Sequence, residues 1–141
     1  MPREGSLRVC PVLANARLPG CPAEWGDDRN RYTETRSIQA LAGTCPVPWK
    51  SGEDATVHMR FACLKPLRNA LYQFAWLSTQ NEPWAEAYYQ RKRAEGKSHS
   101  MAVRALANVW VRILFAMWHR REVYQRSAFE HAQLLHARRA A

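Results

Sequence analysis

The apolar residues of this chain fall into two regimes. Up to about residue 30 they follow no sustained period, and Pro2, Pro11, Pro19, Pro22 and three glycines interrupt every run, which predicts an irregular leader. Beyond it a helical period takes over. Ile38, Leu41 and Ala42 have the i, i+3, i+4 spacing of one buried face, with Asp28 or Thr33 placed to cap the helix and Gly43 to stop it. A Pro/Gly-rich loop follows, from Cys45 and Pro46 through Pro48 to Ser51, and weak alternation from Ala55 to Arg60 suggests a short strand. Leu64, Leu67, Leu71, Phe74, Ala75 and Ser78 then form a helical stripe that tolerates Pro66 in its first turn. Asn81 reads as the N-cap of a further helix that runs to Glu95 and stops at Gly96, with Arg91, Lys92 and Arg93 in the last turn, where cations suit the helix dipole. Ser98 or Ser100 opens another, with Val103, Leu106, Trp110, Ile113, Leu114 and Met117 on an apolar face and Arg104, Asn108 and Arg112 opposite. A last helix is expected over Tyr124 to Arg139. The pattern therefore predicts an all-α fold, mainly helical with about four to five helices, one Pro/Gly-rich loop and room for one short strand pair.

Size and charge narrow the reading. A chain of 141 residues, 47% hydrophobic, can bury one core and has no room for two ordinary domains. The net charge is +9, and it is unevenly placed: seven Lys or Arg stand against seven Asp or Glu up to His58, and fourteen against five from Met59 onward. A field of that sign draws polyanions, which makes DNA or RNA the expected partner. No membrane association is expected, because Arg104, Asn108 and Arg112 interrupt the most apolar helix. Cys10, Cys21, Cys45 and Cys63 form no Cys-x-x-Cys pair and no apolar signal core precedes them, so the expected location is cytoplasmic. His131 and His136 are five apart, which misses the three- or four-residue spacing of two ligands on one helix face, so no metal site is expected.

Ser51 is the candidate nucleophile. It precedes Gly52 and follows a non-periodic loop, so its hydroxyl has little obstruction, and Lys50 and Arg60 could bring positive charge to an attacked phosphate. The plainer reading of a Ser-Gly pair is a turn. Lys65, Arg68, Arg91, Lys92, Arg93, Lys97 and Arg104 are the further candidates for nucleic-acid binding, against the alternative of ordinary solvated helix ends. Trp76, Trp84, Tyr88, Trp110 and Trp118 lie at helical spacings, which favours packing over base stacking.

Taken in order and spacing, several segments closely resemble one known family. They are Trp25-Gly26-Asp27-Asp28-Arg29, Ile38-Gln39-Ala40-Leu41-Ala42-Gly43-Thr44-Cys45-Pro46-Val47, Ser51-Gly52, Lys65-Pro66-Leu67-Arg68-Asn69-Ala70-Leu71 and Gly96-Lys97-Ser98-His99 with Ala102 to Ala107. Over residues 24 to 135 the chain resembles the carboxy-terminal, serine-bearing domain of an insertion-sequence transposase family. Its full-length members also carry an amino-terminal RuvC-like domain with four acidic residues and are guided by a bridge RNA. The resemblance implies residues 1–24 as a leader, with Leu18-Pro19-Gly20 similar to part of a helix-hairpin-helix, residues 25–135 as the domain, and residues 136–141 as a frayed tail. It implies Ser51 as the residue that attacks a DNA phosphate, and DNA, a bridge RNA and full-length transposase protomers as partners. It places Mg²⁺ in the RuvC-like domain and none on this chain. Glu53 and Asp54 depart from the family, which is usually basic there, and so does Phe61. The resulting expectation is a truncated transposase, inactive alone, with a non-catalytic binding module or a decayed remnant as the alternatives.

Overall fold

The computed structural model describes residues 28, 30–120 and 124–140. The leader, Leu18-Pro19-Gly20 and the Trp25 to Asp27 start of the expected domain lie outside the described residues. Among those described, five helices and one hairpin follow in the order α1 (Thr35–Ala42), β1 (Val47–Ser51), β2 (Asp54–His58), α2 (Lys65–Asn81), α3 (Pro83–Ala94), α4 (His99–Arg120) and α5 (Arg126–Ala140). The fold is predominantly α-helical, as the periodicity requires.

Helix α1 begins later than its expected caps. Glu34 is the N-cap and makes no side-chain cap bond, while Asp28 Oδ1 accepts from the Asn30 N–H at 2.9 Å and closes a local turn instead. Ile38 and Ala42 are buried, and Gly43 ends the helix in the left-handed region at φ 69°. That glycine is required twice over, because a Cβ there would sit 2.6 Å from Cys63 Sγ. The Leu64 N–H donates to Leu41 O at 2.9 Å, so the end of α1 and the approach to α2 are stitched together beneath the hairpin.

The hairpin corrects the expected loop. Val47 to Ser51, read as proline loop, forms β1, and the second strand starts and ends slightly earlier than Ala55 to Arg60. The strands pair antiparallel with Val47 opposite His58 and Ser51 opposite Asp54. Pro48 is accommodated because each strand of a two-stranded sheet has a free edge where a missing N–H costs nothing.

The helical core is built around α4, which packs against α1, α2 and α3. Leu67, Leu71, Phe74, Ala75 and Ser78 of α2 are all buried, as their stripe predicts. On α4 the buried set is wider than one stripe: Ala102, Ala107, Val111 and Phe115 join Val103, Leu106, Trp110 and Leu114. Asn108, expected on the polar side, turns inward and accepts the Thr44 hydroxyl at 3.0 Å. By length and apolarity α4 could cross a membrane, the two arginines notwithstanding, but it is the central helix of the bundle with its apolar face buried. Trp110 is fully buried; its ring lies 4.8 Å from Phe74, 4.9 Å from Trp84 and 5.5 Å from Tyr124, and its N–H donates to Ser78 Oγ at 2.8 Å.

Asn81 ends α2 rather than capping α3, and Glu82 takes the junction. Glu82 is 2% exposed. Arg126 grips its carboxylate with two bonds of 2.9 Å, the Tyr124 hydroxyl donates to it at 3.3 Å, and Trp84 Nε1–H donates to that hydroxyl at 2.9 Å. This network and the Trp84–Phe129 ring contact at 4.4 Å hold α5, which is otherwise almost wholly exposed.

Three outcomes follow from this packing. Gly52→Ala should cost about 1 kcal/mol for its positive φ alone, whereas Gly43→Ala should cost clearly more because the new Cβ meets Cys63; equal costs in urea melts would contradict the contact. Removing Arg126 strands a buried carboxylate, so Arg126→Ala should cost about 3 kcal/mol and Glu82→Gln less, with the double variant recovering part of the loss. Burial, with Glu82 beside it, pushes the Tyr124 hydroxyl up to about 12. The folded state therefore holds this proton more tightly than the unfolded one, so the contribution is complete below pH ~10 and lost as pH rises toward 12. Tyr124→Phe should abolish that alkaline component, and a stability profile unchanged by the substitution would exclude it.

Candidate nucleic-acid interface

Gly52 and Glu53 make the two-residue turn between β1 and β2, and Gly52 has the positive φ of 64° that primed hairpin turns demand. Ser51 and Asp54 flank this turn as cross-strand neighbours. Nothing approaches within 4 Å of a Cβ built on Gly52, so the tip stands clear of the bundle and the Ser51 side chain is exposed.

Alternation along the strands decides which side chains share a face. Ser51 lies with Trp49, Thr56, Asp54 and His58, while Lys50 lies on the other face with Val57. The lysine next to Ser51 in sequence is thus across the sheet from it, and the ionisable group nearest to Ser51 by register is the Asp54 carboxylate. Among the described residues no side-chain hydrogen bond joins Ser51 to Asp54. Farther down the same face, Thr56 Oγ1 and His58 Nε2 are 3.2 Å apart, and the Trp49 ring stands edge-on to His58 at 6.3 Å.

The remaining basic residues form separate groups. Arg60 is half-buried at the hairpin foot, lining a cleft of about 500 Å³ with Val47, Trp49, His58 and Phe61, and its Nε is buried without a hydrogen-bond partner. Lys65 is the exposed first residue of α2, a helix with no acid in its first turn. Arg68, one turn on, places Nη1 4.0 Å from Cys63 Sγ. Arg68 and Arg104 converge on the half-buried Tyr72. Burial pushes the Tyr72 hydroxyl above its ordinary pKa, and the two guanidiniums pull it back only in part.

At the α3–α4 turn the cations are partly engaged. Lys92 pairs with Glu95 at 2.9 Å, and the Arg93 guanidinium donates to Lys97 O at 2.8 Å. Arg91 lies over the Tyr88 ring at 4.9 Å, and Lys97 is exposed. Ser98 opens α4 as expected, its Oγ accepting from the Met101 N–H at 3.4 Å. Beside this turn Trp76 is 40% exposed, in contrast to the buried Trp110. It stands edge-on to Tyr89 at 5.5 Å and to His99 at 4.9 Å, and the Tyr89 hydroxyl lies 2.8 Å from His99 Nδ1.

The structure therefore brings together Arg68 with Arg104, and Arg91, Lys92, Arg93 with Lys97. It leaves Ser51 at the exposed hairpin tip, sets Lys65 one turn before Arg68 on α2, keeps Arg60 at the hairpin foot and puts Lys50 on the far face of the hairpin. Sequence reasoning passed over Tyr72 and put Asn108 on the solvent-facing stripe of α4. The i, i+4 spacing of Arg68 and Tyr72 was the available signal for Tyr72, whereas the Thr44–Asn108 bond spans 64 residues and has no local signature. Among the described residues no three of His, Cys, Asp and Glu come together.

A helical domain that projects an exposed serine hairpin and carries excess positive charge on each of α2 to α5 is the class of protein defined here. Residues 17–90 match the model of the Transposase IS116/IS110/IS902 family, and the chain belongs to that family. The match covers α1, the hairpin, α2 and part of α3, short of residue 135, to which the resemblance was expected to reach. The chain is 40% identical over 86 residues to the candidate transposase of the IS117 mini-circle from Streptomyces coelicolor, covering 61% of this chain and 21% of the relative. It is 34% identical over 103 residues to a 42 kDa protein of insertion element IS900 from Mycobacterium paratuberculosis, covering 72% and 26% respectively. A 43.6 kDa protein of IS110, also from Streptomyces coelicolor, is 29% identical over 93 residues, covering 64% and 22%. The chain thus matches about a quarter of the length of these curated relatives.

Proposed function

We propose that this chain is a DNA-binding part of an insertion-sequence transposase and that Ser51 is the nucleophile that joins it transiently to a DNA strand. The observation that carries this reading is the exposure of Ser51 beside a hairpin tip that stands clear of the bundle, in a chain of this family whose positive charge lies mainly on its helices. In the step proposed, Ser51 Oγ forms an ester to a backbone phosphorus while one P–O bond to the leaving strand end breaks, and that end takes up a proton. The ester conserves the phosphodiester for rejoining, so no external energy source is needed.

This chain's described residues supply only part of what such a step requires. Asp54 can accept the Ser51 proton but repels the incoming phosphate, and Lys50 on the opposite face cannot neutralise it locally. Acids to hold a metal ion, which would offset phosphate charge, would come from the remainder of a full-length transposase, whether in the same chain or in a partner protomer, and a guide RNA would share the basic surface. A second reading, a binding module without chemistry of its own, is favoured by that same Asp54 beside Ser51.

Binding to duplex DNA should weaken steeply with salt, and Lys97→Ala should reduce the dependence of log affinity on log salt by about 1. The Glu53→Gln/Asp54→Asn double variant should bind about two- to fivefold more tightly at low salt, since two repelling charges leave the tip. Salt-independent binding, or an affinity that falls when the two carboxylates are neutralised, would count against the reading. Fluorescence anisotropy with labelled duplexes measures both.

A further inference from the structure

We propose that Arg68, Tyr72 and Arg104 form a clamp for a single phosphate group, which in this chain takes a backbone phosphodiester; the choice of nucleic acid as its source rests on the function proposed above. Arg68 and Tyr72 are i, i+4 neighbours on one face of α2, and Arg104 reaches the same hydroxyl from α4. The two ion pairs among the described residues are Lys92 with Glu95 and Arg126 with Glu82, so no described carboxylate pairs with either guanidinium of the cluster. Two like charges held together where water is partly excluded repel one another, and an anion between them removes the cost.

The second argument is the hydrogen-bond account. The Tyr72 hydroxyl and Arg104 Nε are two of the three buried side-chain polar atoms with no partner among the described residues, and they belong to the same cluster. The Arg104 guanidinium faces the Tyr72 hydroxyl closely enough to act on it as a donor, but not in good hydrogen-bond geometry, so the two satisfy each other only weakly. Folded proteins leave few such groups unpaired, because each has given up its water for nothing. Both can donate, and a tetrahedral oxyanion offers acceptor atoms in several directions at once. The third argument is access: Arg68, Tyr72 and Arg104 are each half-buried, so the cluster lies at the edge of the core, and a phosphate reaches its two buried donors by a local side-chain shift. Burial also raises the Tyr72 pKa, which keeps its proton available for donation at neutral pH.

The separating substitution is Tyr72→Phe in the full chain, because it removes a donor without removing a charge. Duplex DNA affinity should fall about three- to tenfold with the salt slope unchanged, while Arg104→Ala should lower both the affinity and, by about 1, the slope. The melting temperature of Tyr72→Phe should hold or rise, since an unpaired buried hydroxyl has been deleted. In a second arm, inorganic phosphate should raise the melting temperature of the parent chain and leave that of Tyr72→Phe and Arg104→Ala unmoved. If Tyr72→Phe binds DNA like the parent while Lys97→Ala still weakens binding, the clamp is wrong and the DNA-binding reading stands. If phosphate stabilises only chains with Tyr72 and Arg104 intact but no DNA binds, the clamp stands as a free-phosphate site and the DNA-binding reading falls. If neither ligand responds to Tyr72, the clamp is overturned.

Discussion

A carboxylate taken out of water must be answered on each of its oxygens, and Glu82 at the α2–α3 junction is answered on both. Arg126 supplies a two-pronged grip and Tyr124 a third donor, itself oriented by the Trp84 indole. The consequence reaches beyond one residue. Glu82 joins α2 to α3 with no loop between them, and the groups that satisfy it come from the segment that begins α5. The same Trp84 and Tyr124 rings close over Trp110, so the polar network and the aromatic core share side chains. Loss of the network would free α5 and open the aromatic core together, because few other contacts hold that helix.

The hairpin follows the opposite logic. It has no core of its own, and a two-stranded ribbon is marginal in water unless something anchors it. Here the anchor is the foot, where Gly43 allows Cys63 to pack against the end of α1 and Leu64 bonds back to Leu41. Beyond the foot the described side chains are exposed, including Trp49 and Val57. Such an element trades local stability for reach, which suits a part that must enter another molecule's surface. The charge pattern divides the work: the tip carries two acids, and the cations sit on the helices behind it.

How much of this was legible in the sequence depends on the range of the interaction. Gly43, Gly96 and the Leu67–Leu71–Phe74–Ala75–Ser78 stripe were readable because helix periodicity and left-handed stops are local. The hairpin was half-legible, since Pro48 argues for a loop until one sees that an edge strand can carry it. Asn108 and Arg104 were assigned to a solvent stripe because an amphipathic pattern presumes one buried side, whereas α4 is covered by three helices. Glu82 looks like any acid ahead of a helix-opening proline, and only the fold brings Arg126 to it from 44 residues away. Ser51 was legible as a candidate from its glycine, but its face was not: strand register, absent from any sequence motif, puts Asp54 beside it and Lys50 opposite.

The central claim is that the hairpin presents Ser51 to DNA as a nucleophile, and the most direct test is to look for the covalent joint. The chain would be mixed with the separately produced remainder of a full-length family member and with element-end duplex, then denatured and resolved for DNA attached to protein. The account predicts an adduct whose link maps to Ser51 and vanishes in Ser51→Ala. An adduct that survives Ser51→Ala, or none from a mixture that binds the duplex, would contradict it.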